Sequence, residues 1–248
     1  MFTTGVHLYL NAAAGCYVLS LITSFARIRR FGVVMLFTGF IIHSLYLAGR
    51  AWLGDIFIPN AIFEGPFFLP WCLSLITLES LFRKKDNTVT PLLSLVVIFT
   101  LFSICYVKGI IPATPKKSTI WALLFFIPES FAHAFFYVGG LFACIKVLKK
   151  ESAFDYSSWI VWGIILYTIA QVTGAVWCFL GWGNTFSWGA RHLSSAAIWT
   201  FYVGLLHLKF IPVWRDKTQR LEIFGAIFVF IISYGHYLHE MRFHRIGG

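Results

Sequence analysis

Three histidines, His43, His133 and His207, sit inside long apolar runs of this sequence. An ionisable side chain in such surroundings is expensive to bury and is usually functional. Burial keeps an imidazole neutral, and a neutral imidazole is a good axial ligand for haem iron. A haem held by two histidines needs them on facing helices at similar depth. His43 and His207 differ in depth by roughly half a turn to one turn, at about 1.5 Å of rise per residue. The other reading of each histidine is a hydrogen bond to a neighbouring helix. Both readings stand at this level.

A second set of candidates lies around His133. Glu129, His133 and Tyr137 follow an i, i+4, i+8 spacing, which puts them on one helix face. A carboxylate, an imidazole and a phenol in line suit a proton relay or the head group of a quinone. A polar seam between two helices is the alternative. A third set is aromatic. Trp177, Trp182, Phe186 and Trp188 follow one another closely, with Trp199 and Tyr202 beyond them. Tryptophan favours the membrane interface, but such a belt explains one or two of them. The cluster is expected to form a flat platform able to shield a porphyrin. The five cysteines, Cys16, Cys72, Cys105, Cys144 and Cys178, form no CxxC pair. A covalently attached haem is therefore not expected, and they read as small buried apolar residues.

The elements that position these residues follow from composition. The chain has 248 residues, of which 58% are hydrophobic and 12% charged. Its mean hydropathy is +0.77. Soluble domains carry about 25% charged residues, so this chain lacks the polar surface a soluble fold needs. A bilayer core takes roughly 20 apolar residues per helix. Runs between charged breaks predict about eight spans, at 6–25, 31–53, 66–82, 91–107, 120–148, 157–180, 196–213 and 221–239. The fold class expected is an all-α polytopic transmembrane bundle, one integral domain over 1–248, with no internal repeat. The start of the chain lacks a basic region before its apolar run, so it reads as a retained helix rather than a cleaved signal.

Basic residues alternate by loop. Arg27, Arg29 and Arg30 follow the first span, Arg83 to Lys85 the third, Lys146, Lys149 and Lys150 the fifth, and Arg215, Lys217 and Arg220 the seventh. Positive loops stay cytoplasmic. Both termini and the segments 54–64, 108–119 and 181–195 are then outside, in a plasma (inner) membrane with the tryptophan-rich loop facing the periplasm. This placement accounts for most of the +10 net charge without a nucleic acid partner. Lys108, Lys116, Lys117, Arg191, Arg242 and Arg245 remain as an outer basic surface, expected to be solvated.

Two stretches together resemble the cytochrome c assembly family, the CcsA/ResC type of haem-handling membrane protein. Trp177, Trp182, Gly183, Ser187, Trp188, Trp199, Tyr202 and His207 match its tryptophan-rich segment and the histidine that follows it. Upstream, His43, Arg50, Pro59, Asn60 and Glu64 match a second pattern in the right order. The resemblance implies that His43 and His207 ligate a haem within the membrane, read here as a haem b; Arg50, Trp182, Trp188 and His133 are further cofactor-binding candidates. It also implies a second, outer haem site. There the chain departs from the pattern. The motif's central tryptophan is Phe186, its aspartate Gly189, its glutamate His192 and a later tryptophan Ser194, while the two outer histidines fall at Phe125 and Ile232. His192, His236 and His239 are the substitutes at hand.

Inner ligands kept and outer ligands lost favour an electron-transfer subunit. It would be part of a quinol-oxidising or quinone-reducing respiratory complex, linking the quinone pool to an external c-type cytochrome or to other membrane subunits. Haem transport or presentation during cytochrome c maturation is the alternative that the resemblance implies. A scaffold that recruits a partner is the third.

Overall fold

The computed structural model describes residues 2–54, 65–83, 86–105, 119–149, 157–215 and 217–244, with the side chains of 2–6, 86, 215 and 236–244 excepted. Every regular element among them is a helix: α1 (Phe2–Phe25), α2 (Arg29–Leu53), α3 (Gly65–Phe82), α4 (Asp86–Cys105), α5 (Ile120–Lys149), α6 (Ser157–Trp182), α7 (Ala190–Leu208), the single turn α8 (Pro212–Arg215) and α9 (Thr218–His244). Eight are long, as the apolar runs predict. Six of them, α1 to α6, are long and apolar enough to cross a membrane. The chain is an all-α polytopic membrane bundle. Outward-facing Ile22, Phe37, Ile41 and Ile98, and Ile165, Val172, Phe179 and Ile227, are exposed apolar side chains suited to hydrocarbon.

The expected span at 196–213 ends early, at Leu208, and that at 221–239 lies within α9. Their helices start earlier and take in polar residues: Arg191, His192, Ser194 and Ser195 in α7, and Gln219, Arg220 and Glu222 in α9. The expected loop 181–195 is correspondingly shorter, at 183–189. Gly183 ends α6 at φ +77°, with its N–H on the Phe179 carbonyl at 2.8 Å. A left-handed residue just past a helix end is where glycine is favoured. Past the end of α1 the left-handed position is taken by an arginine instead. Arg27 has φ +60°, its N–H bonds to Ser24 O, and the Ile28 N–H bonds to Thr23 O.

Helix packing divides the chain into two compact units, Met1–Thr119 and Ile120–Gly248. In the first, α1 packs on α2 and α4, and α3 packs on α2 and α4. In the second, α5 packs on α6 and α9, and α7 packs on α6 and α9. Close approach in the second unit depends on small residues. A Cβ at Gly140 of α5 would collide with Ala226 of α9. Small residues let membrane helices approach backbone to backbone.

At two of the prolines inside helices, Pro70 and Pro128, a hydroxyl from the next helix takes the carbonyl that the proline frees. Pro70 has no N–H for the Pro66 carbonyl, and Ser103 Oγ of α4 donates to it at 2.5 Å. Pro128 likewise abandons the Leu124 carbonyl, and Thr173 Oγ1 of α6 donates to it at 2.8 Å. A freed carbonyl in a bilayer must find such a donor. The cysteines depart from expectation. Cys72 is buried, Cys16, Cys144 and Cys178 are half-buried, and Cys105, at the end of α4, is exposed.

Candidate functional site

In the first unit, α2 carries His43, Tyr46 and Arg50 on one buried face. His43 is fully enclosed. Its Nε2 lies 3.0 Å from the Phe67 carbonyl of α3, and its Nδ1 lies 3.4 Å from Tyr17 Oη of α1. A carbonyl only accepts, so Nε2 carries the proton and Nδ1 takes the phenol's. Two turns on, the buried Arg50 guanidinium stands 4.3 Å from the Phe67 ring centre, with Nη1 3.4 Å from Tyr46 Oη. Stacking on aromatic faces is a favourable setting for a desolvated guanidinium. Pro59, Asn60 and Glu64 lie outside the described residues.

The second unit gathers a polar cluster on α5, α6 and α7. Glu129 follows Pro128 on α5. Arg191, on the first turn of α7, donates from Nη2 to Glu129 Oε2 at 2.5 Å. The Arg191 guanidinium also stands 5.5 Å from the Phe125 ring centre. The expectation that Arg191 is a solvated outer charge is thus corrected: a lone carboxylate in an apolar span needs a cation, and Arg191 is the one that reaches it. His133 lies one turn below Glu129, buried, with its ring 5.6 Å from Tyr167 of α6. Tyr167 in turn hydrogen-bonds Ser195 of α7. Among the described residues, His133 Nε2 and Gln171 Nε2 are buried without a hydrogen-bond partner. Tyr137 is buried on the same α5 face. Composition marked Glu129, His133 and Tyr137. Arg191, Ser195 and Tyr167 are added only by the way α5, α6 and α7 come together.

His207 is arranged in the opposite sense to His43. It sits in the last turn of α7, exposed, and its Nδ1 lies 2.8 Å from the Val203 carbonyl one turn back. Here Nδ1 is the donor, so Nε2 of the neutral ring keeps its lone pair. A carbonyl bonded to one ring nitrogen fixes the tautomer and the orientation of the ring.

The tryptophan-rich loop is not a flat platform. Trp177 and Trp182 meet at 84°, and Phe186 and Trp188 meet at 86°. Edge-to-face contact is favoured by the ring quadrupoles, which repel in a face-to-face sandwich. Trp188 is nonetheless 83% exposed and Trp182 54%. His192 holds the loop, with Nδ1 3.0 Å from Ser187 Oγ, Nε2 3.4 Å from Cys178 Sγ, and Phe186 against its ring. Phe125, where the resemblance places an outer ligand, is a packed core ring against Trp177, Phe126 and Gly174. His236 and His239 continue α9, and their side chains lie outside the described residues.

The family described as cytochrome C assembly protein matches residues 60–243. The chain belongs to the cytochrome c assembly family. "Cytochrome c biogenesis protein CcsA" of Prochlorococcus marinus (strain MIT 9515) is 31% identical over 86 residues, 35% of this chain and 27% of that protein. The protein of the same name from strain NATL1A is 29% identical over 72 residues, 29% of this chain and 23% of its own length. The match spans about a quarter of the length of these relatives.

For a member of this family the natural cofactor to test against the residues is haem. His207 fits as an axial ligand: its tautomer is set, and its lone-pair nitrogen is the one opposite the anchoring bond. His43, as packed, offers no free nitrogen. Its Nε2 would have to leave the Phe67 carbonyl before it met iron.

Proposed function

We propose that this chain handles haem b within the membrane during cytochrome c assembly, with His207 as an axial ligand. The observation that carries the reading is the Nδ1 anchoring of His207 on the Val203 carbonyl, within the stretch that matches the family. Bound haem supplies the redox-active iron. The chain's part is to present the Nε2 lone pair of His207. The exposed Trp182 and Trp188 offer an apolar surface beside the loop, facing the periplasm, where an apocytochrome would dock.

The test is the haem content and dithionite-reduced spectrum of the purified chain. Wild type is expected to carry low-spin haem. His207→Ala should lose about tenfold or more of it, since even outer-shell changes cost 10–100-fold in metal affinity. Full low-spin haem in His207→Ala would refute the assignment, and loss in His133→Ala instead would move the ligand to α5.

An electron-transfer role, from quinol to an external cytochrome, is the second reading. The observation in its favour is Phe125, which fills the expected outer-ligand position with a packed aromatic. The family match and the names of the relatives support assembly over it. Expression in a synthase-deficient cell with a reporter apocytochrome separates the two. Covalent haem on the reporter supports assembly. Its absence, with a quinol-reducible haem in the purified chain, supports electron transfer.

A further inference from the structure

A cavity of about 300 Å³ opens in the first unit beside the α1–α2 turn. Its exposed rim carries Arg27 and Arg29, and its buried wall carries Leu36 and Leu93. Between them stand the hydroxyls of Ser20, Ser24 and Thr90. The Ser24 and Thr90 oxygens are 2.5 Å apart. One hydroxyl of that pair donates to the other, which keeps its own proton for a further acceptor. Polarity thus runs in one direction across the cavity, from guanidinium through hydroxyl to leucine.

The turn that supplies the rim is itself unusual. Arg27 occupies the left-handed position past the end of α1, at φ +60°. Glycine takes that position without strain. A bulky residue held there is a reason to look for function. Here the strained residue is a cation at the mouth of a cavity, at the end of a membrane-crossing helix.

We propose that this cavity binds an anionic phospholipid, with the phosphodiester at Arg27, Arg29 and the Ser24–Thr90 pair and the upper acyl chain against Leu36 and Leu93. A guanidinium recognises phosphate through several N–H donors at once. A free phosphate would leave the leucine wall unfilled. A zwitterionic lipid brings a cation of its own to two arginines. The site stands apart from the haem reading and does not depend on it.

The experiment is native mass spectrometry of the delipidated full chain in detergent, titrated with phosphatidylglycerol, with phosphatidylcholine, and with phosphatidylglycerol plus millimolar inorganic phosphate. Persistent phosphatidylglycerol adducts are expected, with phosphatidylcholine clearly weaker and no displacement by phosphate. Arg27→Gly and Arg29→Gln should each weaken the phosphatidylglycerol adduct by about fivefold, one basic residue's share of the attraction to an anionic head group. Arg27→Gly keeps the turn, because glycine accepts its φ, so its melting temperature should be no lower than wild type. Equal retention of both lipids would overturn the proposal. So would adducts unchanged in both variants, and so would displacement by inorganic phosphate, which would reduce the cavity to an anion site.

Discussion

At the residue scale, burial decides which half of an ion pair matters more. Glu129 has 8% of its side chain exposed and Arg191 has 37%. A carboxylate left unpaired in the bundle has no water to turn to, whereas the arginine can rehydrate at the loop. Arg191→Ala should therefore cost about 3–5 kcal/mol, the range for stranding a buried charge, and Glu129→Gln clearly less. Thermal unfolding of the purified chain checks the order. If Glu129→Gln proves the more damaging, the arginine is the buried partner and this description of the pair is wrong. The same reasoning separates the histidines. His133 has a buried Nε2 without a partner, His43 has both nitrogens engaged, and His207 has one nitrogen anchored. Three histidines that look alike in an apolar run are thus three different chemical groups.

At the scale of the element, the prolines set the terms. Pro128 lies immediately before Glu129 and leaves the Leu124 carbonyl to Thr173. Polar contacts between membrane helices average well under 1 kcal/mol, because the alternative state also finds partners. A carbonyl freed by proline has no helical partner to fall back on, and this one, at an exposed position of the bundle, faces hydrocarbon rather than water, so Thr173→Val should cost about 1–3 kcal/mol, the cost of an acceptor left unsatisfied away from water. Restoring the helical N–H with Pro128→Ala should make the same Thr173→Val change nearly neutral. Equal losses in the two backgrounds, read from melting temperatures, would show that Thr173 acts by packing alone. In the first unit, Ser103 and the Pro66 carbonyl repeat the arrangement on α4 and α3, and the same cycle applies there.

For the whole molecule, the distribution of basic loops gives an orientation that can be measured. In a cysteine-free background, Asn184→Cys, in the tryptophan-rich loop, should react with an impermeant thiol reagent from the periplasmic side. Asp86→Cys, at the start of α4, should react only after permeabilisation. Labelling of Asp86→Cys in intact cells would invert the proposed topology. The orientation also bears on function, because presenting haem to an apocytochrome requires the tryptophan-rich loop and the apocytochrome on the same side.

The sequence by itself determined the class of this protein. Hydropathy set the number of long helices, since apolar length is a property of the chain alone. The matched residues from His43 to His207 pointed to the family, because those identities stand in order along the chain. Helix ends were less legible: α7 starts at Ala190 rather than near residue 196, because its first turn is polar and hydropathy does not register it. Only the tertiary structure decided that Arg191 meets Glu129 and that Trp177 and Trp182 stand edge to face. It alone gave His43 and His207 opposite tautomers. The reason is that a tautomer, an ion pair and a ring angle are set by the neighbours a side chain meets in space. Phe67 and Tyr17 lie 24 and 26 residues from His43, and Arg191 lies 62 from Glu129. No local pattern in the chain carries those distances.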